Sequence, residues 1–304
     1  MSADSRDEAV AKEIRFSVVM YGGISLAIYM NGVTQELLHM VRATARDSWD
    51  HKPDMKFRFK EKNDPPSDTR PMLESTETFY RELANLLNDD GVDDVRFIID
   101  VISGTSAGGI NGIFLAKALS DDRLSFDMLK TLWINEGAIE NLLNDPKTQR
   151  GAKLPVDNSP KSLLCSDRMY VKLLTALTGM LNAESTRQDG APNPLVREID
   201  LFATSTDING RVLPLRLADM LVWERKYKTN FHFHRSDHSD DFATENNPFL
   251  AFVARCTSSF PFAFEPMQLS KLKELRDTSA WPVGAAPATD AKLEMWQKDF
   301  FEDT

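Results

Sequence analysis

Apolar and polar positions change period several times along this chain, and each change marks an element. Residues 14–20 form a short apolar run rich in β-branched side chains, which predicts a buried strand. Tyr21, Gly22 and Gly23 interrupt it. From 25 to 42 the apolar residues recur at helical spacing, so a helix is expected after the glycine turn. Residues 43–71 are charged and proline-bearing, the mark of a surface insertion or long loop. Within that stretch Lys56, Phe57, Arg58, Phe59 and Lys60 alternate basic and aromatic, as a two-faced strand would. Helical spacing returns over 74–88, where Phe79, Leu83, Leu86 and Leu87 suggest an amphipathic helix.

The most strand-like run covers 95–102, nearly continuous and β-branched, as expected of a central parallel strand covered on both faces. A small-residue segment, Ser103 to Gly109, ends it, and 110–119 reads as helix. Further helices are expected over 124–143 and 162–181, with a polar, proline-bearing connection between them. Residues 198–204 form a second good strand, and 231–234 look like part of a third. Strands alternating with helices predict an α/β fold round a largely parallel sheet. The expected organisation is a polar, disordered tail over 1–12, then one domain over 13–304 with a charged insertion near 43–71.

Composition narrows the function classes. A formal net charge of -10 argues against general nucleic-acid binding, which needs a concentrated basic surface. Two cysteines, Cys165 and Cys256, cannot build a disulfide framework and suit a reducing compartment. The first twelve residues carry acids, unlike the basic start of a secretory signal. Residues 16–33 are apolar, yet Gly22, Gly23, Ser25, Asn31 and Gly32 fit a strand, turn and helix better than a membrane span. The expected location is the cytoplasm, with transient contact at a membrane surface. Lys56, Arg58 and Lys60 beside Phe57 and Phe59 are candidates for that contact, although an edge strand protected by charge explains them better.

The chemistry concentrates in Gly104-Thr105-Ser106-Ala107-Gly108, which has the G-x-S-x-G form between an apolar strand and a helix. A sharp turn there strains the serine and exposes its hydroxyl, and the flanking residues must be small because a Cβ would meet backbone. The following helix contributes oriented N–H groups that stabilise developing negative charge. Ser106 is thus the candidate nucleophile, framed by Gly104, Thr105, Ala107 and Gly108. Phosphate loops also lie at helix N-termini, but neither the Walker lysine nor a G-x-G-x-x-G pattern is present. A second strand–turn–helix junction at Gly22 and Gly23 can offer consecutive backbone donors. The backbone of Gly22, Gly23 and Ile24 is therefore the candidate oxyanion hole.

These residues resemble the patatin-like phospholipase family in three places. Residues 21–33 resemble its glycine-rich turn and first helix, 103–112 match its nucleophile elbow closely, and 254–266 resemble its later helix and proline turn. The resemblance implies a three-layer α/β fold with a central, mostly parallel sheet flanked by helices. It also implies a lipid acyl hydrolase cleaving carboxylic esters through a Ser–Asp dyad and an acyl-enzyme, with no metal or organic cofactor and a lipid or acyl-ester substrate. Two departures stand out. Ile24, Leu26 and Ala27 replace the family's further glycine and basic residue. No Asp-Gly-Gly or Asp-Gly-Ala follows Pro266, so the catalytic aspartate is expected beyond Thr304. Asp189-Gly190-Ala191 has the right letters in the wrong place, and Asp90-Gly91 reads as a turn.

Rival readings remain. The order Ser106, Asp207, His238 fits a Ser-His-Asp hydrolase. A non-catalytic regulatory or interaction module would keep the elbow unused. His232, His234 and His238, with Asp237, Asp240 and Asp241 nearby, match no strong zinc signature. Phe231 and Phe233 are expected to face the core, with His232 and His234 outward. Phe260, Phe262 and Phe264 either line an acyl pocket or pack round the proline turn.

Overall fold

A computed structural model describes residues 11–47, 57–74, 76–87, 94–181 and 193–301. Four strands, β1 (Ala11–Met20), β2 (Asp94–Thr105), β3 (Ile199–Arg216) and β4 (Leu221–Arg235), form one sheet in that order. The first three run parallel and β4 returns antiparallel. Val95 to Ile99 are all buried, Arg96 among them, which is why β2 reads as a nearly continuous apolar run. β1 begins at Ala11, two residues inside the stretch read as tail; residues 1–10 lie outside the described chain.

Helices flank this mostly parallel sheet. α1 (Ala27–Ala43) follows a single 3-10 turn, Ile24–Leu26, and α2 is Glu77–Leu87. α3 (Ala107–Ser120) is buried along its whole length, as its all-round apolar sequence requires, and packs against β2, β3 and α1. Its one lysine, Lys117, donates to the carbonyl of Phe242, and burial pushes its pKa down to about 8. α8 (Asn247–Thr257) packs on α3 and β3. Phe231 and Phe233 of β4 point inward onto Phe249. The last helix, α10 (Asp290–Phe301), closes the cluster, with Trp296 stacked on Phe249 at 5.0 Å.

Four elements differ from expectation. The helix foreseen over 124–143 is two, α4 (Asp127–Glu136) and α5 (Ile139–Leu142). Gly137 caps the first, its N–H donating to the Trp133 carbonyl at 3.0 Å, where any Cβ would lie 2.4 Å from that oxygen. In the connection before the next long helix, α6 (Pro146–Gly151) forms on an Asp145 cap; α7 is Ser166–Thr178 and α9 Leu269–Arg276. β3 runs far past Thr204. The Asp-x-Asn-Gly that looks like a strand end is a bulge, closed by Asp207 Oδ1 accepting from Asn209 N (3.0 Å) and Gly210 N (3.3 Å). Pairing then resumes at Arg211 opposite Lys226, so β3 and β4 project as a two-stranded ribbon.

The third difference concerns α2, whose apolar stripe, Phe79, Leu83, Leu86 and Leu87, faces solvent. Its charged side is the buried one. Glu77 accepts from Arg42 Nε at 2.6 Å, and Arg81 donates to the carbonyl of Ala43. Phe57 lies between the guanidinium groups of Arg46 and Arg81, at 3.3 and 3.5 Å from its ring centre. The foreseen strand over 56–60 contributes only isolated bridges from its described part; Lys56 lies outside it. Arg58 is paired with Asp122 and Asp47, so its charge is engaged within the fold.

His39 on α1 joins this insertion, with Thr76 Oγ1 at 2.7 Å and Glu74 and Glu36 at 3.4 and 3.7 Å. Burial alone would lower its pKa, but Glu74, Glu77 and Glu36 together raise it above the ordinary 6.5. A folded-state value above the unfolded one means that folding takes up a proton. The stabilisation is complete below about pH 6.5 and fades as pH rises through the folded value. His39→Gln should therefore lower the urea midpoint near pH 6 and change it less at about pH 9. An equal loss at both would show that the charge contributes nothing.

Candidate active site

The candidate nucleophile stands where β2 becomes α3. Ser106 adopts φ 56° and ψ -125°, a region that a residue with a Cβ enters only when its surroundings force it. Those surroundings are glycines in close backbone contact. A Cβ on Gly104 would lie 2.3 Å from the Gly108 carbonyl oxygen, and one on Gly108 would lie 2.3 Å from that of Met20. Ala107 opens the helix, with its carbonyl accepting from Asn111 Nδ2 at 2.9 Å. That amide also reaches the Ala27 carbonyl at 3.3 Å, tying α1 to α3. Thr105 completes the frame through a hydroxyl–hydroxyl bond to Thr204 on β3.

The register explains what faces Ser106. Met20, the last residue of β1, pairs with Gly104. The two glycine turns therefore leave the sheet side by side. A Cβ on Gly22 would stand 2.8 Å from Ser106 Cβ and 3.5 Å from its Oγ. Gly22 is thus in contact with the serine. Gly23 has φ 151°, and its carbonyl accepts from Leu26 N at 3.1 Å, closing the 3-10 turn that Ile24 begins.

One participant was missed. Thr257, the last residue of α8, accepts from Ser106 N at 2.8 Å and donates to the Thr204 carbonyl at 2.7 Å. The sequence signal was its place between Ala254 and Pro266, which marks the segment without distinguishing that hydroxyl. The same segment is anchored by Arg255, fully buried, which donates to Ser166 Oγ at 2.8 Å and to the Glu265 carbonyl at 3.2 Å. Burial lowers its pKa to about 10. Its guanidinium also covers the ring of the partly buried Phe264, whereas Phe260 and Phe262 are 67% and 82% exposed. Those two do not pack into the core.

Other candidates are not brought together. Asp207 closes the bulge of β3, beyond Thr204. Arg235 pairs with Ile199, so His238, which follows β4, lies toward the far end of β3 from Thr204. Five residues of strand, roughly 17 Å, separate those ends. The Ser-His-Asp triad is not assembled. Asp90, Gly91, Asp189, Gly190 and Ala191 lie outside the described residues. Among the described residues, no acid is hydrogen-bonded to Ser106 Oγ. His232 and His234 face away from the core as expected, but their partner is Asp200 rather than Asp237, Asp240 or His238. Asp241 instead accepts from the backbone of His234 at 2.8 Å.

A mostly parallel sheet that hands a strained serine to a buried helix defines an α/β protein of the nucleophile-elbow class. Within that class, the model of the patatin-like phospholipases matches residues 79–278, and the chain belongs to this family of lipid-hydrolysing serine esterases. The match includes the elbow and Thr257 but begins after Gly22 and Gly23. The chain is also 29% identical over 301 residues to an uncharacterized membrane protein, Rv3479, of Mycobacterium tuberculosis. That alignment covers 96% of this chain and 25% of the relative, so the chain spans about a quarter of the relative's length. No solved structure matches. Among the described residues no helix is long and apolar enough to cross a membrane.

Proposed function

We propose that the chain is an acyl hydrolase acting on carboxylic esters of lipids, with Ser106 as its nucleophile. The observation that carries this reading is the contact between Gly22 and a serine held at φ 56°. Ser106 Oγ attacks the ester carbonyl, and the developing oxyanion lies against backbone N–H groups of Gly22, Gly23 and Ile24. The N–H of Ala107, at the start of α3, is a further donor of the kind such turns supply. Ser106's own N–H is taken by Thr257, which fixes the turn. Collapse of the intermediate expels the alcohol and leaves an acyl-serine, which water then hydrolyses. The proton acceptor is an aspartate, as in the family the turn resembles.

A lipid substrate is supported by the apolar surface beside this site. Tyr21, which precedes Gly22, is 80% exposed, and Ile28 and Tyr29 just beyond the turn are 63% and 70% exposed. Phe260 and Phe262 follow Thr257 closely. Such a rim suits contact with acyl chains at a membrane surface.

The lack of an acid bonded to Ser106 among the described residues favours a second reading, a lipid-binding module with an idle elbow. A fluorophosphonate probe separates the two. The folded chain should be labelled at Ser106, located by peptide mass, and Ser106→Ala should not be labelled. Absence of label on folded protein that extends past Thr304, where the aspartate is expected, would select the binding module.

A further inference from the structure

Asp200, His232 and His234 form a cluster that the hydrolytic reading does not use. Asp200 pairs with His234 across the β3–β4 ladder and Phe202 pairs with His232, so period two places all four on one face of the sheet. Asp200 Oδ1 is hydrogen-bonded to His232 Nε2 at 2.6 Å and to His234 Nδ1 at 3.1 Å. One donor atom from each residue lies within 4.8 Å of the other two. The rings are held in place. His232 stacks on Phe202 at 4.5 Å with 7° between planes, and the backbone of His234 is fixed by Asp241.

We propose that Asp200, His232 and His234 bind a first-row divalent transition cation, with Zn²⁺ the best match. Two imidazoles and one carboxylate suit such an ion, whereas Ca²⁺ and Mg²⁺ prefer oxygen ligands. An ion about 2.1 Å from each donor needs donors roughly 3 Å or slightly more apart, so binding asks for small side-chain movements. The ion replaces the two hydrogen bonds to Asp200, and each ring keeps its proton on the nitrogen facing away.

The side chains of His232, His234 and Asp200 are 50%, 38% and 35% exposed, so coordination positions stay open to solvent. Three protein ligands with open positions make a site that also accepts water or an anionic oxygen. It is distinct from the elbow. Asp200 lies four residues along β3 from Thr204, the partner of Thr105, a separation of roughly 13 Å. The inference therefore stands whether or not Ser106 is acylated.

The test is calorimetric titration of the metal-free chain with Zn²⁺, together with the visible spectrum of the Co²⁺ form. Wild-type chain should take up one equivalent at this site. Asp200→Asn, which keeps side-chain shape, and His234→Ala should each weaken binding by about tenfold or more, since even outer-shell partners contribute that much. His238→Ala should bind as wild type does. Far-ultraviolet circular dichroism checks each variant, and His232→Gln, at an exposed ring, replaces any that fails to fold. No Zn²⁺ uptake by folded wild-type chain, or wild-type affinity in the Asp200→Asn and His234→Ala variants, would overturn the assignment.

Discussion

Gly22→Ala is expected to slow acylation of Ser106 by about 100- to 1000-fold while leaving the fold in place. The reasoning is local. The new Cβ would stand 2.8 Å from Ser106 Cβ and 3.3 Å from the Thr105 carbonyl oxygen, so the turn must retreat from the serine. A turn displaced by even a fraction of an ångström no longer aims its N–H groups at an oxyanion, and such donors act only at the correct distance. Gly22 does not have the left-handed φ that demands glycine, and it is exposed, so the loss in stability should stay within about 1 kcal/mol. The rate of fluorophosphonate labelling, measured beside the urea midpoint, reads both effects. Labelling at the wild-type rate would remove Gly22 from the reaction.

Gly108→Ala should instead destabilise the fold itself, by about 3 kcal/mol or more. Its Cβ would meet the carbonyl oxygen and carbon of Met20 at 2.3 and 2.7 Å, both backbone atoms of β1. A flexible side chain can swing aside, but a strand held by its ladder to β2 cannot. Gly32→Ala is the matched control. It lies within α1 with nothing inside 4 Å of the added methyl, and helix propensity predicts up to about 1 kcal/mol of stabilisation. Urea denaturation of the two variants should give shifts of opposite sign. A Gly108→Ala chain as stable as Gly32→Ala would mean that α3 does not approach β1 this closely.

How far the sequence anticipates this structure depends on whether the deciding interaction is local. β2 and the elbow are legible because a continuous apolar run, small residues and a helical period all follow from one stretch of chain. Gly22 is legible as a turn, but its contact with Ser106 follows from the register of Met20 with Gly104, which no local pattern encodes. The apolar stripe of α2 predicts a buried face and misleads, because buried ion pairs and cation–π contacts made by Glu77 and Arg81 seat the opposite side. The bulge at Asp207 misleads in the other direction, since turn chemistry inside a long strand looks like its end. Asp200, the partner of both histidines, is more than thirty positions away from them and becomes visible only once β3 and β4 are paired.

The hydroxyl of Thr257 has a consequence for the order in which the chain organises itself. It accepts from the amide of Ser106, 151 residues away in sequence, and donates to the Thr204 carbonyl. Contacts this distant in sequence form late, because a long loop must close before they are rewarded. A nascent chain emerging from the ribosome can build β1, β2 and α3 early, yet its serine amide has no acceptor until the end of α8 arrives. Maturation of the serine turn is thereby deferred until all four strands have emerged. In pulsed hydrogen exchange the Ser106 amide should gain protection with α8, later than its immediate neighbours in α3.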